Sequence, residues 1–200
     1  MEIKAKIRGV RPLLMHNGAL VDSQTEHAKA KSALAKKKPQ TDADKDAIAR
    51  LDFVGALYVD ESGKIIIPDV NLLAVIAAGA TKFKKGKDAK AGVFVSDHGV
   101  FDFQDSKIKN DGKGTVETLW KSGKYTDRRR VVIQRNAIMK VRPRFDKWTC
   151  DFVLDIDDEI CNPDEVKIWL EMGGKRAGLG DFRPQFGRFE VEKFSNNKSK

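Results

Sequence analysis

The last quarter of the chain changes its period twice. In "KWTCDFVLDI" apolar and polar residues alternate, with Trp148, Cys150, Phe152, Leu154 and Ile156 on one face, which predicts a strand over 148–156. "NPDEVKIWLEMGG" follows with Asn162 as N-cap, Pro163 at the first helical position, acids in the first turn and a Gly173-Gly174 stop, so a helix is expected over 162–173. "GLGDFRPQFGRFEV" then leads into a second alternating run, with Phe189 and Val191 facing one way and Arg188, Glu190 and Glu192 the other, a strand over 187–194. Strand, helix, glycine-rich loop and strand in close succession point to an α+β fold. Two readings of that loop stay open: a helix-to-strand connection closed by a glycine cap, or a backbone freed for close approach to another chain or a phosphate.

Earlier segments extend the pattern. Ile3, Ala5 and Ile7 alternate with Lys4, Lys6 and Arg8, a strand over 2–10 with one basic wet face. Residues 22–40 are rich in Ala, Lys and Ser and form at best a weakly packed helix or a mobile loop before Pro39. Thr41 is an N-cap for a helix carrying Ala43, Ala47, Ile48, Leu51 and Val54 up to Gly55. "LYVDESGKIIIP" reads as a hairpin, and Asp69 caps a mostly buried helix over 69–82. The lysine-rich segment 82–90, which includes Lys84, Lys85 and Lys87, is expected to be a disordered or ligand-ordered loop. Strand pattern resumes over 93–103, residues 104–127 read as a long polar projection, and strands return from Arg128. Without its insertions the order is βαββαβ, that of a ferredoxin-like or RRM-like core.

Charge narrows the partner class. Lys and Arg number 38 against 29 Asp and Glu, a net charge of +9, which favours a polyanion. A membrane is the weaker choice because no apolar run reaches the length of a spanning helix. The first residues lack a signal-peptide core, so a cytoplasmic protein is expected. Cys150 and Cys161 form no CxxC pair, so no metal, cofactor or disulfide framework is suggested. The basic run Arg128, Arg129, Arg130, Arg135, Lys140, Arg142 and Arg144 is the strongest functional signal, because alternation places Lys140, Arg142 and Arg144 along a groove that tracks a phosphate backbone. Trp120 and Tyr125, in a polar loop, are candidates for stacking on bases; Trp148 and Trp169 belong to the core.

The motifs "IIIPDVNLLAVIAAGA", "RRVVIQ", "RPRFDKW" and "GDFRPQFGRFEV" resemble the RAMP superfamily of CRISPR-associated RNA-binding proteins, in particular phage-borne and mobile-element members similar to the backbone subunits that polymerise along guide RNA. The resemblance covers residues 60–194. It implies a single domain over 1–200, with a helical insertion at 18–58 and a thumb-like β-hairpin at 104–130. It also implies a non-catalytic protein that assembles side by side on single-stranded RNA or DNA, within a ribonucleoprotein complex where other subunits are present. Binding residues would then include His16, Asn17, Lys175, Arg176, Gly178, Gly180, Arg183 and Arg188 besides those above. Phe189 stands where many processing nucleases of the superfamily carry a further glycine. The alternative is a metal-independent endoribonuclease of structured RNA, in which a histidine such as His16, near Asp22 and His27, acts as general base.

Overall fold

The alternation at the N-terminus becomes β1 (Glu2–Gly9), with Ile3, Ala5 and Ile7 buried. The computed structural model describes residues 1–112, 114–133 and 135–196; position 113 of the expected thumb and residues 197–200 of the single domain lie outside the described residues. After β1 come β2 (Leu13–Leu14), a 3-10 turn at Gly18–Val21, α1 (Glu26–Lys36) and α2 (Asp42–Ala56). Helix α2 starts where Thr41 predicts: its hydroxyl accepts from Asp44 N, and the Asp44 carboxylate accepts from Thr41 N, both at 3.1 Å. Helix α1 buries none of its residues, in keeping with its thin apolar content.

The chain continues through β3 (Ile66–Ile67), α3 (Asp69–Thr81), α4 (Gly86–Gly92), β4 (Val93–Val95), β5 (Gly99–Asp102), α5 (Thr115–Ser122), β6 (Thr126–Ile133), β7 (Asn136–Phe145), β8 (Thr149–Ile156), α6 (Pro163–Arg176) and β9 (Phe189–Asn196). The main sheet runs β3-β5-β8-β1-β9, with β4 pairing the other half of the β8 edge, and every ladder is antiparallel. Pairing Ile3 with Leu154, Ala5 with Phe152 and Ile7 with Cys150 puts all six side chains on one face, where α3 and α6 cover them. On the opposite face the basic side of β1 meets acids: Lys6 faces Asp151, and Arg8 reaches Glu190 and Glu192. That surface is charge-balanced and offers no basic field.

Three expectations are corrected. The Gly173-Gly174 pair does not stop α6. A Cβ at Gly173 would lie 2.3 Å from the Val75 carbonyl oxygen, and one at Gly79 would lie 1.9 Å from that of Trp169, so these glycines let the backbones of α3 and α6 touch. The lysine-rich segment is ordered, because Ala89 buries against the core and pins α4, while Lys85 pairs with Asp88 at 2.9 Å. The segment 104–130 is not a hairpin: it holds α5 and only the start of β6, and the hairpin is β6 with β7.

That hairpin and β2 form a second sheet, ordered β2-β7-β6. Its base is fastened to the main sheet by aromatic rings, with Phe145 edge-on to Phe101 at 5.0 Å and packed on Tyr125 at 5.6 Å. Beyond that base the hairpin carries exposed apolar side chains among its cations, Val132 being 62% and Met139 61% accessible.

Candidate functional site

The glycine-rich loop closes against β2 and the hairpin. Gly178, Gly180 and Gly187 all have φ between +72° and +75°, and a Cβ at Gly180 would meet the Leu14 carbonyl oxygen at 2.2 Å. Asp181 N donates to that oxygen at 2.8 Å, and Gly187 N donates to Pro12 O at 2.8 Å. Gly180 therefore answers to the approach of the β2 backbone, while Gly178 and Gly187 answer to the close approach of the loop's own backbone at Phe186 and Leu179. Helix α6 ends with Ala177 N and Gly178 N both donating to Gly173 O, so the cap reading holds as well.

Between the loop and the start of α3 lies a cleft of about 300 Å³, lined by His16, Tyr58, Asn71, Gly180, Asp181 and Arg183 among others. The Tyr58 hydroxyl donates to His16 O at 2.9 Å. Burial pushes the His16 pKa below its ordinary 6.5; Arg142 and Lys140 push it the same way, and Asp181 opposes them. The imidazole is thus held toward its neutral form. Asn17 is occupied internally: its side chain accepts from Ala19 N at 2.9 Å and donates to Leu57 O at 3.1 Å.

The basic run is largely neutralised by carboxylates, some distant in sequence and some two residues away, which corrects the expected phosphate groove. Arg142, only 9% exposed, pairs with Asp181 at 2.7 Å. Lys140 shares the buried Asp52 with Lys31, and burial and Lys31 both lower its pKa. Arg144 pairs with Asp146 at 2.7 Å and approaches Asp127 at 3.7 Å. Asp127, itself buried, holds Arg129 at 2.6 Å, and Arg128 reaches Asp46 at 3.7 Å. Arg130 and Arg135 are exposed and have no acid partner among the described residues.

The proposed stacking aromatics are also corrected. Tyr125 is buried, and its hydroxyl donates to Asp105, whose pKa Lys124 and then Tyr125 push far down. Trp120 is half-buried on Phe53 at 5.5 Å. The accessible aromatic beside the basic run is one that sequence reasoning left unassigned. Phe182 lies over the Arg142 guanidinium at 5.0 Å and that of Arg129 at 5.6 Å, and Phe186 covers Arg129 at 4.6 Å. Both phenylalanines were visible in the glycine-rich stretch, but nothing local marks which ring will meet a guanidinium.

The remaining cations fall into separate places. Lys175 and Arg176 are exposed on the last turn of α6; Arg183 is exposed at the cleft. Arg188 is half-buried beside Lys175, with its Nε unpartnered. Lys84, Lys85 and Lys87 follow the C-terminal end of α3, which lies roughly 15 Å along the helix from Asn71 in the cleft. They do not converge with the loop.

No protein-family model matches the chain, and no curated protein matches it. Among the described residues no group of three or more His, Cys, Asp or Glu is placed to hold a metal ion, and no helix is long and apolar enough to cross a membrane.

Proposed function

We propose that this protein binds single-stranded RNA or DNA through its hairpin and the adjoining glycine-rich loop, without cleaving it, and that copies assemble side by side along the strand. The observation that carries the reading is which of the hairpin's cations are unpaired. Of the hairpin's cations, Arg130 and Arg135 alone lack an acid partner among the described residues, and both lie toward its free end. A projecting arm with unpaired guanidiniums suits a flexible polyanion. The exposed apolar side chains Val132 and Met139 on the same arm suit contact with a neighbouring copy, and a head-to-tail contact that does not close propagates as a filament.

The finer fold assignment belongs to this proposal. With β4 and β5 counted as one broken strand, β1, α3, β4/β5, β8, α6 and β9 follow the βαββαβ order, and the spatial order β9-β1-β8-β4/β5 is fourth, first, third, second. That supports a ferredoxin-like core of the RAMP kind, with a helical insertion before α3 and the hairpin inserted between β5 and β8.

The test is purification at low salt, with the absorbance ratio read and any bound nucleic acid digested by RNase or DNase, followed by electron microscopy on a long single strand. Beaded assemblies that lengthen with the strand are expected; particles of fixed size, or no binding at all, would overturn the reading. A second reading, metal-independent RNA cleavage, has one observation in its favour: a histidine held toward its neutral form in a cleft that Arg183 also lines. Labelled hairpin RNA is expected to return intact, with or without magnesium; products that vanish in His16→Ala would replace the first reading with the second.

A further inference from the structure

Phe182 combines three properties that set it apart from the other aromatics of the loop and hairpin. It is 42% exposed, its φ is +53°, and its ring lies over two guanidiniums. A bulky side chain at positive φ is uncommon and persists only where its surroundings impose it. Here the preceding residue is tied to β2 through Asp181 N and Leu14 O, Phe182 N donates to Asp181 Oδ1 at 2.9 Å, and Phe186 N donates to Phe182 O at 3.2 Å. The loop holds the ring in place.

The side on which the ring is open follows from the hairpin register. Asp127 pairs with Arg142 and Arg129 with Lys140, so Arg129 and Arg142 stand on the same hairpin face. Phe182 covers that face, and its exposed side is the one turned away from the hairpin. Arg183, exposed and without an acid partner among the described residues, is its neighbour in sequence and lines the cleft beside it. Asp127 and Asp181 neutralise the two guanidiniums beneath the ring, which leaves Arg183 as the unpaired cation beside it, and a ring next to an unpaired guanidinium favours an aromatic ligand attached to a polyanion over an apolar peptide.

We propose that Phe182 is a stacking seat for one base of a bound single strand, with Arg183 on the adjoining phosphate. This rests on the nucleic-acid reading above and adds to it the residue that touches a base. The inner guanidiniums position the ring; the outer face takes the base.

The test uses the full chain, fluorescence anisotropy, and two labelled strands of equal length: oligothymidylate and a fully abasic strand with the same phosphates. Phe182→Asn removes the ring while tolerating positive φ; Phe182→Tyr keeps the ring. Phe182→Asn is expected to weaken oligothymidylate binding about tenfold and to leave abasic binding within about twofold, while Phe182→Tyr stays near the parent on both strands. Equal loss by Phe182→Asn on both strands, or loss on neither, would overturn this inference and leave the wider reading standing. Failure of the unsubstituted protein to bind either oligothymidylate or an oligouridylate of the same length at low salt would overturn both.

Discussion

Arg142 shows how a residue's burial can reverse the role its sequence suggests. Within "KVRPRF" it reads as one of three cations along a groove, yet its guanidinium is pinned between Asp181 and Phe182 and is nearly inaccessible. Arg142→Ala is therefore expected to act on stability: it strands a partly buried carboxylate and removes the support under Phe182, at a cost of about 1–3 kcal/mol. A fall in the urea midpoint with unchanged slope is the expected result; an unchanged midpoint would mean that water satisfies Asp181 unaided. His16 gives a second prediction at this scale. Its folded pKa lies below the ordinary 6.5, so through the interval between the two values the unfolded chain binds more protons than the folded one. Its contribution to stability is complete above 6.5 and is lost as pH falls through the folded value. Thermal midpoints should drop between pH of about 7 and about 5, and His16→Gln should show a smaller drop.

Among the elements, the α3–α6 packing has the least tolerance. Gly79→Ala places a methyl 1.9 Å from the Trp169 carbonyl oxygen, and because that neighbour is backbone the helices must separate. A loss of about 3 kcal/mol is expected by chemical denaturation, whereas Gly114→Ala, which meets nothing within 4 Å but sits at φ +91°, should lose only about 1 kcal/mol. The same glycines mark the limit of what the sequence discloses. Strands β1, β8 and β9 and helices α2, α3 and α6 were legible because each repeats its period over several residues, although α3 begins after Pro68 with no side-chain cap, and Asp69, expected to cap it, is its first helical residue. The end of α6 was not, since a glycine that stops a helix and one that admits a neighbouring backbone look alike until that neighbour is known. In α4, local composition argued for a loop, and the burial of Ala89 outweighed it. At the candidate site the cations were legible but their partners were not. Asp181 meets Arg142, and Asp52 meets Lys140, across separations that leave no periodic trace.

For the molecule as a whole, the +9 charge is spread over several places: the cations Lys6 and Arg8 of the open sheet face meet acids, whereas Arg130 and Arg135 on the hairpin, like Arg183 at the cleft, have no acid partner among the described residues. Replacing Arg130 and Arg135 together by Ser should leave the thermal midpoint unchanged while the slope of log Kd against log salt shrinks by about 1.4, or about 0.7 for each phosphate that is no longer neutralised. An unchanged slope would place the strand elsewhere on the surface. The direct backbone approach of α3 to α6 also bears on how a ligand is received. Asn71 belongs to α3, and Gly180 and Asp181 hang from the end of α6, so two walls of the cleft are joined through helices whose backbones meet directly at Gly79 and Gly173. On the proposed reading, a strand entering the cleft meets walls joined backbone to backbone, so the strand rather than the cleft is expected to bend.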